Sequence, residues 1–329
     1  MTNTYKNVYV LDTSTVVGPY EKAGPMGYLF DKTYDDLYIK EKSWEKAEAK
    51  LMEESVKILL NKTKMKSENV NLLVAGDLLN QICASTYGLY KYDIPFLGIY
   101  NACATNCEGI IIASTFIDSK NIDNAIVSVS SHNMSSEKQF RNPTEYGAPK
   151  PHTATFTSTG GASIMLINKK TEVKVESSTI GTMCDMNQKD ANNMGAAMAM
   201  GAAKTIYKHL KDLNRDVNYY DLILTGDLGV IGKQILIEVM KEEYKIDLSK
   251  NYNDTGTMLY DLEKQKEVKS GGSGPVCNAL VNYSYIYKLL KEKKLHKVLI
   301  VATGALFSPT SLFQKENIMS IAHAVSLEA

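Results

Sequence analysis

The chain of 329 residues is long enough for one large domain or two closely packed halves, and its hydrophobic content of 44% can fill a sizeable core. Lysines plus arginines and aspartates plus glutamates both number 37, and this zero net charge argues against nucleic acid as a partner. Residues 1–6 are polar and no apolar run approaches the roughly 20 residues that span a bilayer, so we expect an intracellular protein without a signal peptide or transmembrane helix.

Hydrophobic periodicity predicts strands that alternate with helices along the chain. An early helix is expected over 43–61, where Trp44, Leu51 and Leu59 recur at helical spacing, and Ser43 is its expected N-cap. The further predicted elements, in chain order, are a short strand ending in Gly76-Asp77-Leu78, a buried strand over 94–100, a helix over 107–118, strands over 125–129 and 160–167, a helix over 194–210 started by Asn192 or Asn193, a short strand ending in Gly226-Asp227-Leu228, a helix over 279–291, and strands over 298–302 and 321–325.

Two segments of the chain are repeated later in it. The strand at 71–78 is echoed 150 residues later at 221–228, and the turn, helix, loop and strand of 102–131 recur 172 residues later at 274–303. Strands that are apolar on both faces indicate mixed sheets covered by helices. We therefore predict an α/β fold of two βαβαβ-like halves, 1–175 and 176–329, packed as five αβαβα layers.

Cys103 follows a predicted strand and stands in a tight turn where a helix begins. The unpaired N–H groups at a helix start favour a thiolate, which would lower the thiol pKa and activate a nucleophile. The structural alternative is a buried thiol that acts as a small hydrophobe. The five cysteines are odd in number and widely spaced, and Cys107 completes no ligand set with Cys103, so we expect free thiols and no metal site.

Two histidines are further candidates. His132 follows a strand end, where the sites of open α/β sheets collect, and it is either a site residue or a loop histidine with satisfied hydrogen bonds. His323 lies inside a predicted strand, where sheet packing is favoured over a place in a pocket.

The repeated Gly-Asp-Leu motif places Asp77 and Asp227 after strands, where aspartates usually cap the next helix. The glycine-rich turn over 270–275 precedes a helix and can turn backbone N–H groups toward an anion, although it lacks the ending of a phosphate loop. Arg141 is one of only two arginines, and it either binds a carboxylate ligand or pairs with Glu145.

The chain resembles the thiolase superfamily, because a strand is followed by Asn-Ala-Cys at a helix start within a duplicated unit. The ketoacyl synthase III branch of that superfamily places its acyl-accepting cysteine in such a turn. The position matches Cys103. Nearly the whole chain resembles one spore-former branch of that fold, the stage V sporulation protein AD family. The segments that carry this resemblance are 76–81, 94–98, 102–105, 139–141, 145–147, 192–198, 225–229, 271–274, 301–306 and 321–325.

This resemblance implies binding of dipicolinic acid (pyridine-2,6-dicarboxylate), alone or as its calcium chelate. It also implies that the protein lies peripheral to the spore inner membrane and has membrane proteins of the same sporulation operon as partners. Together they would load the acid into the forespore and release it in germination. Thiolase-type proteins commonly pair two-fold, so a homodimer is expected. No cofactor is implied.

Aligned on ketoacyl synthase III, the catalytic histidine and asparagine positions fall on Asp227, or a neighbour of it, and on Gly272. An ionised carboxylate would repel an enolate, so the resemblance implies that condensing chemistry is lost. The alternative is an acyltransferase of altered mechanism that still uses Cys103.

The ligand-binding set that the resemblance implies is Cys103, Ala104, Thr105, His132, Arg141, Asp227, Gly272, Ser273 and His323. The family's usual hydroxyl after the cysteine is Ala104 here, and the glycine-rich turn carries Pro275. Binding is therefore expected to depend on Thr105, Ser273 or backbone donors.

Overall fold

The computed structural model describes residues 1–140 and 150–329 as alternating strands and helices. The strands are β1 (Thr2–Thr4), β2 (Tyr9–Val17), β3 (Lys32–Thr33), β4 (Leu73–Gly76), β5 (Phe96–Gly98), β6 (Asn124–Ser131), β7 (Phe156–Thr157), β8 (Gly160–Ile167), β9 (Val173–Thr179), β10 (Cys184–Asp185), β11 (Leu222–Thr225), β12 (Tyr252–Asp254), β13 (Gly272–Ser273), β14 (Lys297–Leu306) and β15 (Met319–Glu328).

The helices are α1 (Pro19–Lys22), α2 (Trp44–Thr63), α3 (Cys83–Leu89), α4 (Thr105–Asp118), α5 (Asn133–Phe140), α6 (Met194–Asp212), α7 (Gly229–Glu242), α8 (Thr255–Met258), α9 (Pro275–Val281), α10 (Tyr287–Lys291) and α11 (Pro309–Phe313). A π-helical turn, Asn282–Ile286, joins α9 to α10, so the helix predicted over 279–291 is continuous but irregular. In the described part of the chain no helix is long and apolar enough to cross a membrane.

The duplication is visible in the pairing of the strands. One half-sheet has the order β5-β4-β6-β8-β2 and the other the order β12-β11-β14-β15-β9. In each, the first two pairings are parallel and the last two antiparallel. The half-sheets join where Tyr9 and Val10 of β2 pair with Lys174 and Val173 of β9. The predicted boundary after residue 175 falls inside β9 and stays a prediction.

Helices α4 and α9 form the middle layer between the half-sheets. Helix α4 packs on β4 and β6 on one side and on β14 and β15 on the other, which requires a helix that is apolar around most of its surface. Its buried residues include Cys107, Ile110, Ile111 and Ile117. Helices α2 and α3 cover the outer face of the first half-sheet, and α6 covers that of the second with α7 packed beside it. The predicted five-layer thiolase-like architecture is confirmed.

Local predictions hold where hydrophobic spacing is strong. Ser43 caps α2, its Oγ accepting the N–H of Lys46 at 3.3 Å. Helix α6 begins after Asn193, although the Asn193 side chain makes no capping hydrogen bond.

The buried strand predicted over 94–100 is wrong in length and in burial. Strand β5 has three residues and lies at the edge of its half-sheet, paired with β4. Phe96 and Leu97 are 39% and 40% exposed. The apolar character of these side chains predicted burial. They are exposed because β5 is the edge strand, and that position depends on the order of the strands in the sheet.

Candidate functional site

Cys103 stands where the two halves of the molecule meet. The chain reverses through Ala102, which has a left-handed backbone (φ 49°), and α4 begins two residues after the cysteine. The buried Cys103 Sγ accepts a hydrogen bond from the backbone N–H of Gly274 at 3.3 Å. Gly274 ends the glycine-rich turn before α9, the helix that repeats α4. The glycine-rich turn therefore faces the thiol.

Asp227 lies behind Cys103 in an unusual environment. The residue is fully buried, has a left-handed backbone (φ 69°), and neither carboxylate oxygen has a hydrogen-bond partner. Burial raises the pKa of Asp227 well above its ordinary value, and the thiols of Cys103 and Cys277 are close enough to influence it. Burial therefore favours the protonated, neutral form of Asp227.

The prediction that the helix start lowers the thiol pKa of Cys103 is wrong. Burial raises that pKa well above the ordinary value. Removing a thiolate from water outweighs the partial positive charge at the start of α4. At neutral pH Cys103 is a thiol.

The two repeated aspartates have different roles. The fully buried Asp77 accepts the N–H of Leu79 at 2.9 Å and both the N–H and the hydroxyl of Ser85, at 2.7 and 2.6 Å. The capping interpretation is confirmed for Asp77. Asp227 makes no such hydrogen bonds. The two copies of the Gly-Asp-Leu motif therefore differ, because only the carboxylate of Asp77 caps a helix.

A cavity opens in front of Cys103, and we call it the inner pocket. Its wall is formed by Leu78, Tyr100, Ala102, Cys103, Ser136, Glu137, Phe140, Thr157, Met194, Ser273, Ala305 and Phe307. Its volume of about 40 Å³ holds a few water molecules. It is too small for an aromatic ring as it stands.

A larger depression, the vestibule, lies outside the inner pocket. Residues 78–82, 98–100, 139–140 and 307–309 line it, and its volume is about 420 Å³. Leu78, Tyr100, Phe140 and Phe307 belong to both walls and form the constriction between them. The rings of Phe140 and Phe307 meet edge to face, with centroids 5.5 Å apart. A ligand that reaches Cys103 from the vestibule must displace this pair.

Polar side chains of the inner pocket come from α5, from the β7–β13 pair and from the segment around Cys103. On α5, the Ser136 hydroxyl is buried without a hydrogen-bond partner, and Glu137 is paired with Lys150. Across the pocket, Thr157 of β7 and Ser273 of β13 are partners in a two-stranded parallel sheet and both face the cavity. The wall of the inner pocket thus includes the aliphatic hydroxyls of Ser136, Thr157 and Ser273, the phenol of Tyr100, the Glu137 carboxylate and one thiol, beside apolar side chains.

Of the predicted ligand-binding residues, Cys103 and Ser273 line the inner pocket. Ala104 is fully buried beneath Cys103, and the Thr105 hydroxyl is used within the turn, donating to the Ala102 carbonyl at 2.7 Å. Gly272 is packed so closely that an added Cβ would lie 2.8 Å from the Cys277 sulfur. Arg141 lies outside the described residues.

Neither histidine faces the inner pocket. His132 is buried, with Nδ1 accepting the Met134 N–H and Nε2 donating to the Leu37 carbonyl at 2.7 Å. The Nδ1 of His323 accepts the Gly181 N–H, and its Nε2 lies 2.7 Å from the Asn101 side-chain amide. Burial lowers the pKa of each to about 4. Both ring nitrogens of His132 are hydrogen-bonded, so it is a structural loop histidine and not a site residue. His323 packs beside the Cys103 turn through its contact with Asn101.

Sequence reasoning missed Ser136, Glu137 and Thr157. Ser136 and Glu137 lie on α5, a helix whose short mixed sequence shows little amphipathic pattern. Thr157 belongs to a two-residue strand, which is below the length that periodicity can detect. The one sequence feature that could have pointed to these residues is that α5 follows a strand end, where the sites of open α/β sheets collect.

The two matching half-sheets, with the buried cysteine between them, form a thiolase-like fold. Acetamide-bound OleA of Xanthomonas campestris has this fold, with a TM-score of 0.63 at 13% identity over 99% of this chain and 100% of that one. So does 3-oxoacyl-(acyl carrier protein) synthase III of Aquifex aeolicus VF5, with a TM-score of 0.59 at 12% identity over 98% and 100% of the two chains. Identities this low show the fold alone.

Within this class the chain belongs to the stage V sporulation protein AD (SpoVAD) family, whose model matches residues 2–328. It is 44% identical over 321 residues to stage V sporulation protein AD of Bacillus subtilis strain 168. The match covers 98% of this chain and 94% of that protein. It is therefore a sporulation protein on a thiolase-like fold.

Proposed function

We propose that the chain binds dipicolinic acid at the inner pocket and does not turn it over. Family membership supplies the ligand, and the environment of Cys103 supports binding without catalysis. A buried thiol beside a neutral buried acid is a poor nucleophile at neutral pH, since the thiolate is the reactive form.

The observation that carries this proposal is the position of Asp227. A condensing enzyme needs donors aimed at the oxygen that becomes negative in the transition state. Asp227 lies behind Cys103 and not in the wall of the inner pocket, and Gly272 has no side chain to donate. Neither position therefore replaces the histidine and asparagine of the ancestral chemistry.

The chemistry of the inner pocket suits a flat ring with carboxylates. Ser136, Thr157 and Ser273 offer hydroxyl donors, and Leu78, Phe140 and Phe307 offer apolar contact to a ring. Because the cavity is small, binding requires the Phe140–Phe307 pair to separate.

Titration calorimetry tests the proposal with three ligands. Dipicolinate should bind, and isophthalate, which has the same carboxylate spacing without the ring nitrogen, should bind more weakly. Benzoate, with one carboxylate, should bind least. Equal affinity for all three, or no binding of any, would contradict dipicolinate recognition.

An acyltransferase that uses Cys103 is the second candidate, because the thiol is retained and faces a cavity. Incubation with acyl-coenzyme A followed by intact-mass measurement separates the two functions. The binding function predicts no adduct. An acyl adduct that disappears in Cys103→Ser would establish the enzyme.

We further propose that two copies of the chain pair along β5, and that the dimer works with membrane proteins of the same sporulation operon at the spore inner membrane. The exposed edge of β5 carries apolar side chains and supports the pairing. The membrane partners are inferred from the family.

A further inference from the structure

The side chain of Gln139 bridges the constriction at the mouth of the inner pocket. Its amide nitrogen donates to the Leu78 carbonyl at 2.8 Å, and its Oε1 accepts the Asn80 N–H at 2.9 Å. Leu78 lies in the constriction, and so does Phe140, the residue that follows Gln139 on α5. Gln139 therefore fixes the separation between Leu78 and Phe140, both of which a ligand must pass.

The segment that Gln139 holds, residues 78–82, has an unfavourable backbone conformation, and we call this segment the strap. Gln81 and Ile82 are consecutive, and both have positive φ, 54° and 49°. A left-handed backbone is unfavourable for residues other than glycine, and most of all for a β-branched residue such as isoleucine. The strap therefore stores strain that a movement of its backbone can release.

The two sides of the Gln139 contact are not held equally firmly. On one side α5 is anchored to α2, because the Ser135 hydroxyl donates to the buried carboxyl group of Glu48 at 2.6 Å. On the other side Asp77, just before the strap, is bonded to Ser85 beyond it, while Asn80 in the middle of the strap is exposed. If the contact opens, the strap is therefore the part that moves, and α5 stays in place.

We propose that Gln139 is the latch of the inner pocket. With the latch closed, Leu78 is held in the constriction and the inner pocket is shut. When the latch opens, the strap leaves its strained backbone conformation and moves Leu78 aside, which widens the constriction. Gln139 is thus a positioning residue that controls access to Cys103. The identity of the admitted ligand rests on the proposed function, whereas the latch does not.

Labelling of Cys103 by two neutral reagents of different size measures the width of the constriction. Methyl methanethiosulfonate and benzyl methanethiosulfonate each convert the thiol to a mixed disulfide with release of methanesulfinate. The ratio of the two rates cancels changes in the thiol pKa, because both reagents are attacked by the same thiolate. Every form of the chain carries Cys83→Ser, which removes the partly exposed thiol, and peptide mass spectrometry assigns the label to Cys103.

Gln139→Leu keeps a side chain of similar size and removes both hydrogen bonds. Two hydrogen bonds of ordinary net strength change an equilibrium by about ten-fold or more, so the benzyl-to-methyl ratio should rise by about ten-fold.

Gln265→Leu is the matched control. Gln265 makes the same two-point contact elsewhere, donating to the Tyr20 carbonyl at 2.8 Å and accepting the Asp261 N–H at 2.9 Å. It lines neither the inner pocket nor the vestibule, so its loss should lower the free energy of unfolding and leave the ratio unchanged. A merely structural role for Gln139 would make the two variants behave alike.

The strain in the strap is tested at Gln81. Gln81→Ala shortens the side chain but keeps the penalty of the left-handed backbone, whereas Gln81→Gly removes that penalty as well. The closed strap is then more favourable in the glycine variant, so its ratio should be about three-fold lower than that of the alanine variant. For the same reason Gln81→Gly should lower the ratio when it is added to Gln139→Leu.

The latch would be overturned by an unchanged ratio in Gln139→Leu, or by a Cys103 that neither reagent reaches in that variant. It would also be overturned by a ratio in Gln81→Gly that equals or exceeds the ratio in Gln81→Ala.

Calorimetry then connects the latch to the ligand. Dipicolinate should bind Gln139→Leu more tightly than wild type, because the closed inner pocket is too small for the ring and binding must open the constriction. If the labelling ratios shift as expected while no form binds dipicolinate, the latch stands and the dipicolinate function fails. If wild type binds dipicolinate but the ratios do not shift, the function stands and the latch is wrong.

Discussion

At the residue scale, Asp227 combines three unfavourable features: a left-handed backbone, complete burial, and two carboxylate oxygens without partners. Each is worth on the order of 1–3 kcal/mol in a folded protein. Such residues concentrate at functional sites, and Asp227 lies directly behind the pocket thiol. Burial keeps Cys103 as a thiol, which suits a wall residue better than a nucleophile.

Ser136 is the residue whose substitution separates binding from stability. Ser136→Ala removes a buried hydroxyl that has no partner, so the free energy of unfolding should stay the same or rise by up to about 1 kcal/mol. If the hydroxyl donates to a ligand carboxylate, affinity for dipicolinate should fall about ten-fold. Urea unfolding and calorimetry on the same samples measure both quantities. An unchanged affinity would remove Ser136 from the binding set.

At the element scale, the inner pocket depends on the short β7–β13 pair, which brings Thr157 and Ser273 side by side. Behind this pair, Tyr260 donates to Glu21 of α1 and approaches the Ser158 hydroxyl at 2.9 Å, while Glu21 accepts the Thr159 N–H at 3.0 Å. Glu21 comes from the first half of the chain and Tyr260 from the second. A buried acid therefore holds the two halves together behind the pocket wall.

Glu21 should make the stability of the protein depend on pH. Burial raises its pKa to about 7, from 4.5, so the folded state retains a proton that the unfolded state loses. The stability that this proton contributes is complete below pH 4.5 and is lost as pH rises toward 7. Glu21→Gln should match wild type near pH 4.5 and exceed it by up to about 3 kcal/mol at pH 8.

Urea unfolding across this pH range measures the effect. The exposed Glu68 provides the control, since Glu68→Gln should follow wild type at every pH. A Glu21→Gln variant that is less stable than wild type at pH 8 would show that the ionised carboxylate is favourable in the folded protein.

At the scale of the whole molecule, the vestibule and the edge of β5 adjoin. Residues 98–100 belong to the vestibule wall, and Phe96 and Leu97 precede them on the exposed edge. A second copy paired along β5 would therefore cover apolar surface beside the entrance to the inner pocket.

The pairing is tested by Leu97→Lys, which places a charge on the exposed edge. We expect the wild-type chain to elute as a dimer in size-exclusion chromatography with light scattering and the variant to dissociate at micromolar concentration. Tyr28→Lys is the control, because Tyr28 is exposed in another segment. A wild-type monomer, or a dimer that Leu97→Lys leaves intact, would show that β5 is not the interface.

The sequence by itself determined the duplicated architecture, because hydrophobic periodicity and repeated motifs are local signals that survive without coordinates. It also placed Cys103 in a turn at a helix start and identified the glycine-rich turn over 270–275, whereas the contact between the two was shown by the structure. Only the tertiary structure decided the protonation of Cys103, since the burial of its thiol depends on segments far apart in the chain; Gly274, whose N–H donates to the sulfur, is 171 residues away. The same holds for the inner pocket, whose wall combines residues from many separate segments. Local sequence encodes elements, whereas desolvation and charge at a site arise from how those elements are packed.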